Sequence, residues 1–156
     1  MLKFVQSSLV LLLGVLLTAC SSSSEPGQSR TSNLDTLVQP IPTCSESEFT
    51  GGSNWIEGQL QAFGERDPNR AYSYASEAFK NANSVEDFAA IISSQYSMLL
   101  DLRDFNIVSC DKDGDFFSYK VQITDNQGGR YAMEYLLSYI RNKWGIDGAS
   151  VSYTSK

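Results

Sequence analysis

The sequence of 156 residues contains no histidine. Histidine is the side chain most often used for acid–base catalysis near neutral pH, and it is also the commonest metal ligand. Its absence removes both roles together. We therefore expect a protein that is not an enzyme and that uses no metal and no cofactor.

The sequence also has few positively charged residues. It contains 12 Lys and Arg residues and 18 Asp and Glu residues, which gives a net charge of -6 at pH 7. A negatively charged domain is repelled by phosphate backbones, so nucleic acid is not an expected partner. The same repulsion argues against electrostatic docking onto anionic lipid. Hydrophobic residues make up 42% of the chain, which is enough for a folded core.

The apolar run near the amino terminus is too short to span a bilayer, which needs about 20 residues. This run, Leu9–Leu17, follows the positive charge of Lys3 and has the length of the apolar region of a signal peptide. It ends in Leu17-Thr18-Ala19-Cys20, which resembles the lipobox of bacterial lipoproteins.

The resemblance implies that residues 1–19 are a signal peptide and that Cys20 becomes the lipid-carrying first residue. Two or three acyl chains such as palmitate give a stable membrane anchor. Ser21 is not the aspartate that marks retention at the inner membrane. We expect the outer membrane, facing the periplasm, if the host has two membranes, and otherwise the outer face of the cell membrane. The alternatives are a plain secretory signal with a chance cysteine or a short membrane anchor.

Two regions with different compositions follow the signal. Residues 20–43 are rich in Ser, Pro, Gly, Thr and Gln, which predicts a flexible stalk. Residues 44–156 form the predicted globular domain. After acylation of Cys20, two cysteines remain, Cys44 and Cys110, and an even count in an exported protein predicts a disulfide between them. Two free thiols are the alternative.

The first part of the domain has the periodicity of three helices. Asn54 has the character of an N-cap, Asp67-Pro68 pairs a cap with a proline at the first helical position, and Ser84 is a third cap. Apolar residues at helical spacing follow each cap. The predicted inward faces are Ile56, Leu60 and Phe63; Ala71, Tyr74, Ala75 and Ala78 or Phe79; and Phe88, Ile91, Ile92, Tyr96 and Leu99.

The second part alternates with period two, which predicts four strands joined by turns. The strands would cover residues 105–110, 117–124, 131–139 and 144–153, with the last one bent or bulged at Gly145 and Gly148. Helices followed by an antiparallel meander indicate the α+β class: three N-terminal helices packed on a curved four-stranded sheet.

This order is similar to that of the nuclear-transport-factor-2-like superfamily, and most of all to a bacterial envelope subfamily of unknown function. The residues that carry the resemblance are Ala71-Tyr72-Ser73-Tyr74-Ala75-Ser76, Phe88-Ala89-Ala90 and Trp144-Gly145-Ile146-Asp147-Gly148. The resemblance covers residues 53–153 and implies a cone with an apolar pocket. The fold hosts enzymes, binding modules and assembly domains, so it does not by itself define a function.

Several side chains are candidates for a functional site. Asp111, Asp113 and Asp115 lack the glycine and glutamate positions of a calcium loop, so we interpret them as a solvated turn. For isomerase-type chemistry, Asp104 and Glu134 are available as bases and Tyr119 and Tyr135 as donors to an oxyanion, although their spacing specifies nothing. The residues predicted to line a pocket are Tyr119, Val121, Tyr135, Leu137 and Trp144.

These observations together predict a membrane-tethered domain that is not an enzyme. It would bind either a small apolar ligand in its pocket or an envelope protein, or a second copy of itself, through the sheet. The alternative is a cavity enzyme with isomerase-type acid–base chemistry.

Overall fold

The computed structural model describes residues 43–155, so the predicted signal peptide, Cys20 and most of the predicted stalk lie outside the described residues. The described chain begins with helices and ends with strands, as the sequence predicts. The helices are α1 Glu46–Gly64, α2 Pro68–Ser73, α3 Glu77–Ala82 and α4 Val85–Gln95, followed by a short 3-10 helix at Ser97–Asp101. The strands are β1 Leu102–Asp113, β2 Phe116–Asp125, β3 Arg130–Ile140 and β4 Lys143–Ser155.

The four strands form one curved antiparallel sheet in the order β1-β2-β3-β4. Each strand pairs with the next one in sequence, which confirms the meander and the α+β class. One face of the sheet packs against the helices, because alternate residues on β2 and β3 are apolar and buried. These inward residues are Phe117, Tyr119, Val121, Ile123, Met133, Tyr135 and Leu137.

The first helix begins earlier than predicted, at Glu46 rather than after Asn54. The Ser45 side chain accepts a hydrogen bond from the Glu48 N–H at 3.3 Å, and the Glu48 carboxylate accepts one from the Ser45 N–H at 2.9 Å. This reciprocal capping box defines the start of α1. The glycines at 51 and 52 weaken the helical pattern in the sequence, which is why the prediction placed the start too late.

The prediction of three helices was wrong in the second helix, which is broken into α2 and α3. The predicted Asp67 cap is confirmed, but the chain leaves the helix after Ser73. The Ser76 N–H donates to the Ile146 carbonyl at 2.8 Å, and the Ile146 N–H donates to the Tyr74 carbonyl at 3.0 Å. Hydrogen bonds to β4 therefore replace the helical bonds at this point.

Bulges in β1 and β4 shift the alternation of inward and outward residues. The register of β1 slips between Ile107 and Ser109, so that Cys110 pairs with the inward-facing Tyr119. Strict alternation over residues 105–110 would place Cys110 on the face opposite Phe105 and Ile107. The extra residue in β4 falls between Ile146 and Gly148, within the segment where the glycines predicted a bend.

The structure contains the predicted disulfide between Cys44 and Cys110, whose Cα atoms are 5.6 Å apart. The Cys44 N–H also donates to the Cys110 carbonyl at 3.4 Å, and Thr43 forms an isolated bridge with Asp111. The chain that enters the domain is therefore attached to β1 immediately before α1 begins.

Candidate functional site

An apolar cavity of about 150 Å³ lies between the helices and the inner face of β3 and β4. Its walls come from α1, α3, α4, the segment after α4 and the two strands. Phe79, Ile91, Tyr96 and Ala149 are only partly buried, so the cavity opens to solvent along this side. The lining residues are Gln59, Phe63, Ala75, Phe79, Phe88, Ile91, Ile92, Tyr96, Leu99, Met133, Tyr135, Ile146, Gly148 and Ala149.

Local sequence patterns explain how these side chains converge. Phe88, Ile91 and Ile92 recur at helical spacing on α4, whose start is set by a capping box between Ser84 and Asp87. Met133 and Tyr135 are alternate residues of β3 and therefore point to the same face. The helix side and the sheet side of the cavity follow from these two periodicities.

A second apolar space of about 190 Å³ lies beside the first and shares Phe63, Phe88 and Ile92 with it. Phe88 is held by three aromatic neighbours. Its ring centre lies 5.7 Å from that of Tyr72, 5.8 Å from that of Phe63 and 5.9 Å from that of Phe79. Each space alone is smaller than the roughly 300 Å³ at which typical ligand pockets begin.

Three polar side chains line the first cavity. The Tyr96 hydroxyl donates to the Ala149 carbonyl at 2.6 Å, and the Gln59 amide nitrogen donates to the Ala71 carbonyl at 3.2 Å. The Tyr135 hydroxyl is buried and has no hydrogen-bond partner among residues 43–155. Burial raises the pKa of Tyr135 well above its usual value, with a smaller contribution from Tyr96, so this phenol stays protonated.

Of the five residues predicted to line the pocket, the structure places only Tyr135 at the cavity. Tyr119, Val121 and Leu137 face the same side of the sheet but are buried in the close-packed core. Trp144 is half-buried and contacts Phe117 and Tyr139, with ring centres 4.8 Å away in both cases. Alternation identifies the inward face, but it does not show where along that face the helices leave space.

The carboxylates considered for acid–base chemistry lie elsewhere. Asp104 is exposed on β1, and Glu134 is exposed on the outer face of β3, where the Ser118 hydroxyl donates to it at 2.5 Å. Asp113 and Asp115 flank the tight turn at Gly114 between β1 and β2. Across the described part of the chain, no group of three or more metal-ligating side chains comes together. Within the same residues, no helix is long and apolar enough to cross a membrane.

The sequence did not predict that residues of the helices line the cavity. Phe88, Ile91, Ile92 and Tyr96 had been predicted to point inward, but only as ordinary core residues. The sequence carried one signal, because Gln59 is a polar residue three positions after Ile56 and next to Leu60, on the predicted inward face of the first helix. The structure buries this amide, which has the hydrogen-bond partner that a buried polar group needs.

The fold of the described residues is similar to that of solved NTF2-like proteins. An NTF2-like protein of unknown function from Shewanella baltica has a TM-score of 0.51 at 12% identity, with 72% of this chain and 100% of that chain covered. Another, from Silicibacter pomeroyi, has a TM-score of 0.49 at 18% identity, with coverages of 71% and 100%. None of the curated proteins compared with the chain matches it.

The family is shown by a sequence model that matches residues 51–156. The chain belongs to DUF4864, a family described as a domain of unknown function. The match begins within α1 and runs through the whole sheet, so it includes every element that lines the cavity. An NTF2-like fold often forms a ligand-binding pocket, although the fold alone does not define the ligand.

Proposed function

We propose that this chain is a lipid-tethered binding protein that holds a small apolar molecule between its helices and its sheet. The observation that carries the proposal is the apolar cavity of about 150 Å³. Protein cores are close-packed, so an apolar space of this volume beside the core offers room for a small molecule. A cavity of similar volume in another protein is large enough for benzene, so the expected ligand has the size of a single ring.

Binding is favoured over the isomerase-type alternative by the position of the carboxylates. Acid–base catalysis requires a carboxylate within hydrogen-bond reach of the substrate. Asp104 and Glu134 are exposed outside the cavity, and no other Asp or Glu is among the residues that line it. The residues that line the cavity are mostly apolar and include no carboxylate, which suits the binding of an apolar molecule rather than acid–base catalysis.

The test of ligand binding uses the methionine methyl groups as reporters in NMR. Met133 lines the cavity, whereas Met98 is buried in the core outside it and serves as the internal reference. Benzene or cyclohexane added to the full chain in detergent should shift the Met133 methyl signal with saturation, while the Met98 signal changes little. Equal, unsaturated shifts of both signals would contradict a defined site.

Two matched variants sharpen this experiment. Ala149→Leu adds three carbon atoms to a residue that lines the cavity and should abolish the saturable shift. Ala132→Leu makes the same change on the exposed outer face of β3 and should leave binding intact. If Ala149→Leu still bound the probes with unchanged affinity, the ligand would lie outside this cavity.

The membrane tether is supported by the sequence around Cys20 and is tested separately. Cys20→Ala removes the thiol that would accept the lipid, so the protein should move from the membrane fraction to the soluble fraction. The Met133 assay on the released protein should give the same ligand affinity, because the cavity is built from residues 59–149. Retention of the variant in the membrane fraction would contradict the lipoprotein proposal.

Contact with an envelope protein or with a second copy of the chain is a further proposal, supported by the exposed surface of the sheet. The large apolar side chains that remain most exposed within residues 43–155 all lie on the strands: Val108, Phe116, Leu136, Tyr139 and Ile140. Apolar side chains grouped on a surface are typical of interfaces. Sedimentation of the full chain in detergent tests self-association, and a monomer at high concentration would exclude a homodimer.

A further inference from the structure

Three of the five exposed large apolar side chains within residues 43–155 lie at one end of the sheet. Phe116, Tyr139 and Ile140 are 50%, 38% and 52% exposed. Phe116 begins β2 and Ile140 ends β3, and both line one surface groove beside the β1–β2 and β3–β4 turns. We call these two turns and three side chains the tip. Grouped apolar exposure of this kind is typical of surfaces that contact a protein or a membrane.

The chain enters the domain at the tip. The Cys44 N–H donates to the Cys110 carbonyl at 3.4 Å, and Thr43 forms an antiparallel bridge with Asp111. Going back along the chain from Cys44 to Thr43 therefore follows β1 toward its last residue, Asp113, which borders the β1–β2 turn. The disulfide fixes this point of entry. The segment that precedes Thr43 consequently joins the domain at the end of the sheet that carries the exposed apolar side chains.

The proposed lipid anchor cannot lie far from the tip. Residues 21–42 separate Cys20 from Thr43, and a chain of this length spans at most about 75 Å. The average for a chain of the flexible kind that the composition predicts is about 25 Å. A short linker gives an effective concentration on the order of millimolar. A contact with the bilayer that is too weak for two separate partners would therefore form in the tethered protein.

The charges at the tip are mixed. Asp113 and Asp115 flank the β1–β2 turn, Arg141 lies in the β3–β4 turn, and Lys143 begins β4. Lys143 pairs with Glu77 at 3.0 Å. Because the tip has no excess of positive charge, attraction to anionic lipid does not favour a membrane contact. The favourable contribution comes from burial of the apolar side chains.

We propose that the tip contacts the surface of the membrane that holds the Cys20 lipid, with Phe116 and Ile140 inserted among the lipid headgroups. The inference rests on the proposed tether and adds the surface of the domain that faces the bilayer. Tyr139 suits this position, because the tyrosine ring is apolar and its hydroxyl is polar. Val108 and Leu136 lie further from the tip and remain available for the protein contact proposed above.

The test places the full chain, carrying its lipid, in phosphatidylcholine nanodiscs that contain a lipid with a nitroxide on its headgroup. The nitroxide broadens NMR signals of nearby amides, and the effect falls steeply with distance. The amides of Gly114, Phe116 and Ile140 should broaden several times more than those of Gln127 and Gly128, which lie in the turn at the opposite end of the sheet. Equal broadening at both ends, or none at either, would overturn the proposal.

A pair of double variants tests the side chains. Phe116→Ser with Ile140→Ser should reduce the broadening at the tip to that of the opposite turn, while the lipid keeps the chain in the nanodisc. Val108→Ser with Leu136→Ser is the matched control, because it removes similarly exposed apolar side chains elsewhere on the strands. It should leave the broadening at the tip unchanged, and an equal effect of both double variants would contradict insertion of the tip.

The remaining outcomes distinguish the occupant of the tip. Phosphatidylglycerol should not increase the broadening, and an increase that high salt abolishes would show an electrostatic contact instead of insertion. Amide signals at the tip that shift with protein concentration in detergent, without broadening by the labelled lipid, would assign the tip to contact between two copies and contradict the proposal. A chain that does not remain with the nanodiscs would contradict the tether itself, whereas failure of the tip alone leaves the tether intact.

Discussion

Tyr119 and Tyr135 lie opposite each other on β2 and β3, yet only the Tyr119 hydroxyl has a hydrogen-bond partner within the described residues. Both rings are buried, with exposures of 0% and 1%. The Tyr119 hydroxyl donates to the Glu48 carbonyl at 2.6 Å and so connects the sheet to α1. One tyrosine therefore has a structural hydrogen bond, whereas the hydroxyl of the other is buried without a partner among the described residues.

The two tyrosines should respond oppositely to loss of the hydroxyl in the ligand-free protein. Tyr119→Phe removes a hydrogen bond and leaves the Glu48 carbonyl without this donor, so the free energy of unfolding should fall by about 1–2 kcal/mol. Tyr135→Phe removes an unpaired buried group, so stability should stay the same or rise by up to about 1 kcal/mol. Urea denaturation of both variants measures the difference, and an equal loss in both would contradict the assignment.

Gly52 on α1 should not tolerate a side chain. A Cβ atom at this position would lie 2.1 Å from the Tyr119 hydroxyl oxygen, and both residues are buried. Gly52→Ala should therefore destabilise the domain by about 1–3 kcal/mol through overpacking, although alanine favours the helix.

Gly64, the last residue of the same helix, provides the comparison, because nothing lies within 4 Å of its added Cβ. Gly64→Ala should be neutral or stabilising by about 0.5 kcal/mol. Thermal unfolding followed by circular dichroism separates the two cases. A Gly52→Ala protein as stable as Gly64→Ala would show that Tyr119 moves freely.

The disulfide should contribute substantially to stability. Cys44 and Cys110 are separated by 66 positions, so in the chain-entropy model the cross-link stabilises the folded state by about 4 kcal/mol. The double variant Cys44→Ser, Cys110→Ser should unfold at a much lower denaturant concentration than the oxidised protein. Reductant should shift the unmodified protein toward the variant and leave the variant unchanged, and identical midpoints in all four samples would contradict the prediction.

Stability should decrease in acid because of Glu48. Its carboxylate bonds to Lys112 and to the backbone and side chain of Ser45, and these contacts lower its pKa to about 2. An unpaired glutamate titrates near pH 4.3, as in the unfolded chain. The contribution of Glu48 is therefore fully present above about pH 4.3 and is lost as the pH falls toward 2.

Lys112→Met should make this loss of stability shallower, because the hydrogen bond from Lys112 is the largest cause of the lowered pKa. Lys120→Met removes a lysine on the exposed outer face of β2 and should leave the acid dependence unchanged. Urea midpoints measured between pH 5 and pH 2 test the pair. Parallel curves for the unmodified protein and Lys112→Met would be inconsistent with the assignment.

Much of the fold could be predicted because its signals are local. Asp67 and Ser84 cap α2 and α4 by bonding to backbone groups three residues away, and such bonds depend only on the adjacent sequence. The alternation on β2 and β3 identified the buried face of the sheet. The count of cysteines left after Cys20 was sufficient to pair Cys44 with Cys110.

The sequence predicted an apolar pocket, but it did not predict which residues line it. Tyr135 was identified as a lining residue, whereas Tyr119 and Leu137 satisfied the same alternation and yet lie in close-packed core. The difference depends on which part of α1 or α4 lies above each strand position. Helix spacing and strand spacing are each readable from sequence, but their relative placement is not.

The sequence by itself determined the order of helices and strands, the caps of α2 and α4, and the inward face of β2 and β3, because these depend on neighbours a few residues apart. Only the tertiary structure decided that the helix breaks after Ser73, that Cys110 turns inward, and that Tyr119 rather than Tyr135 has a hydrogen-bond partner. In each case the deciding contact comes from a distant segment: Ile146 for the break, the slipped pairing with β2 for Cys110, and Glu48 for Tyr119.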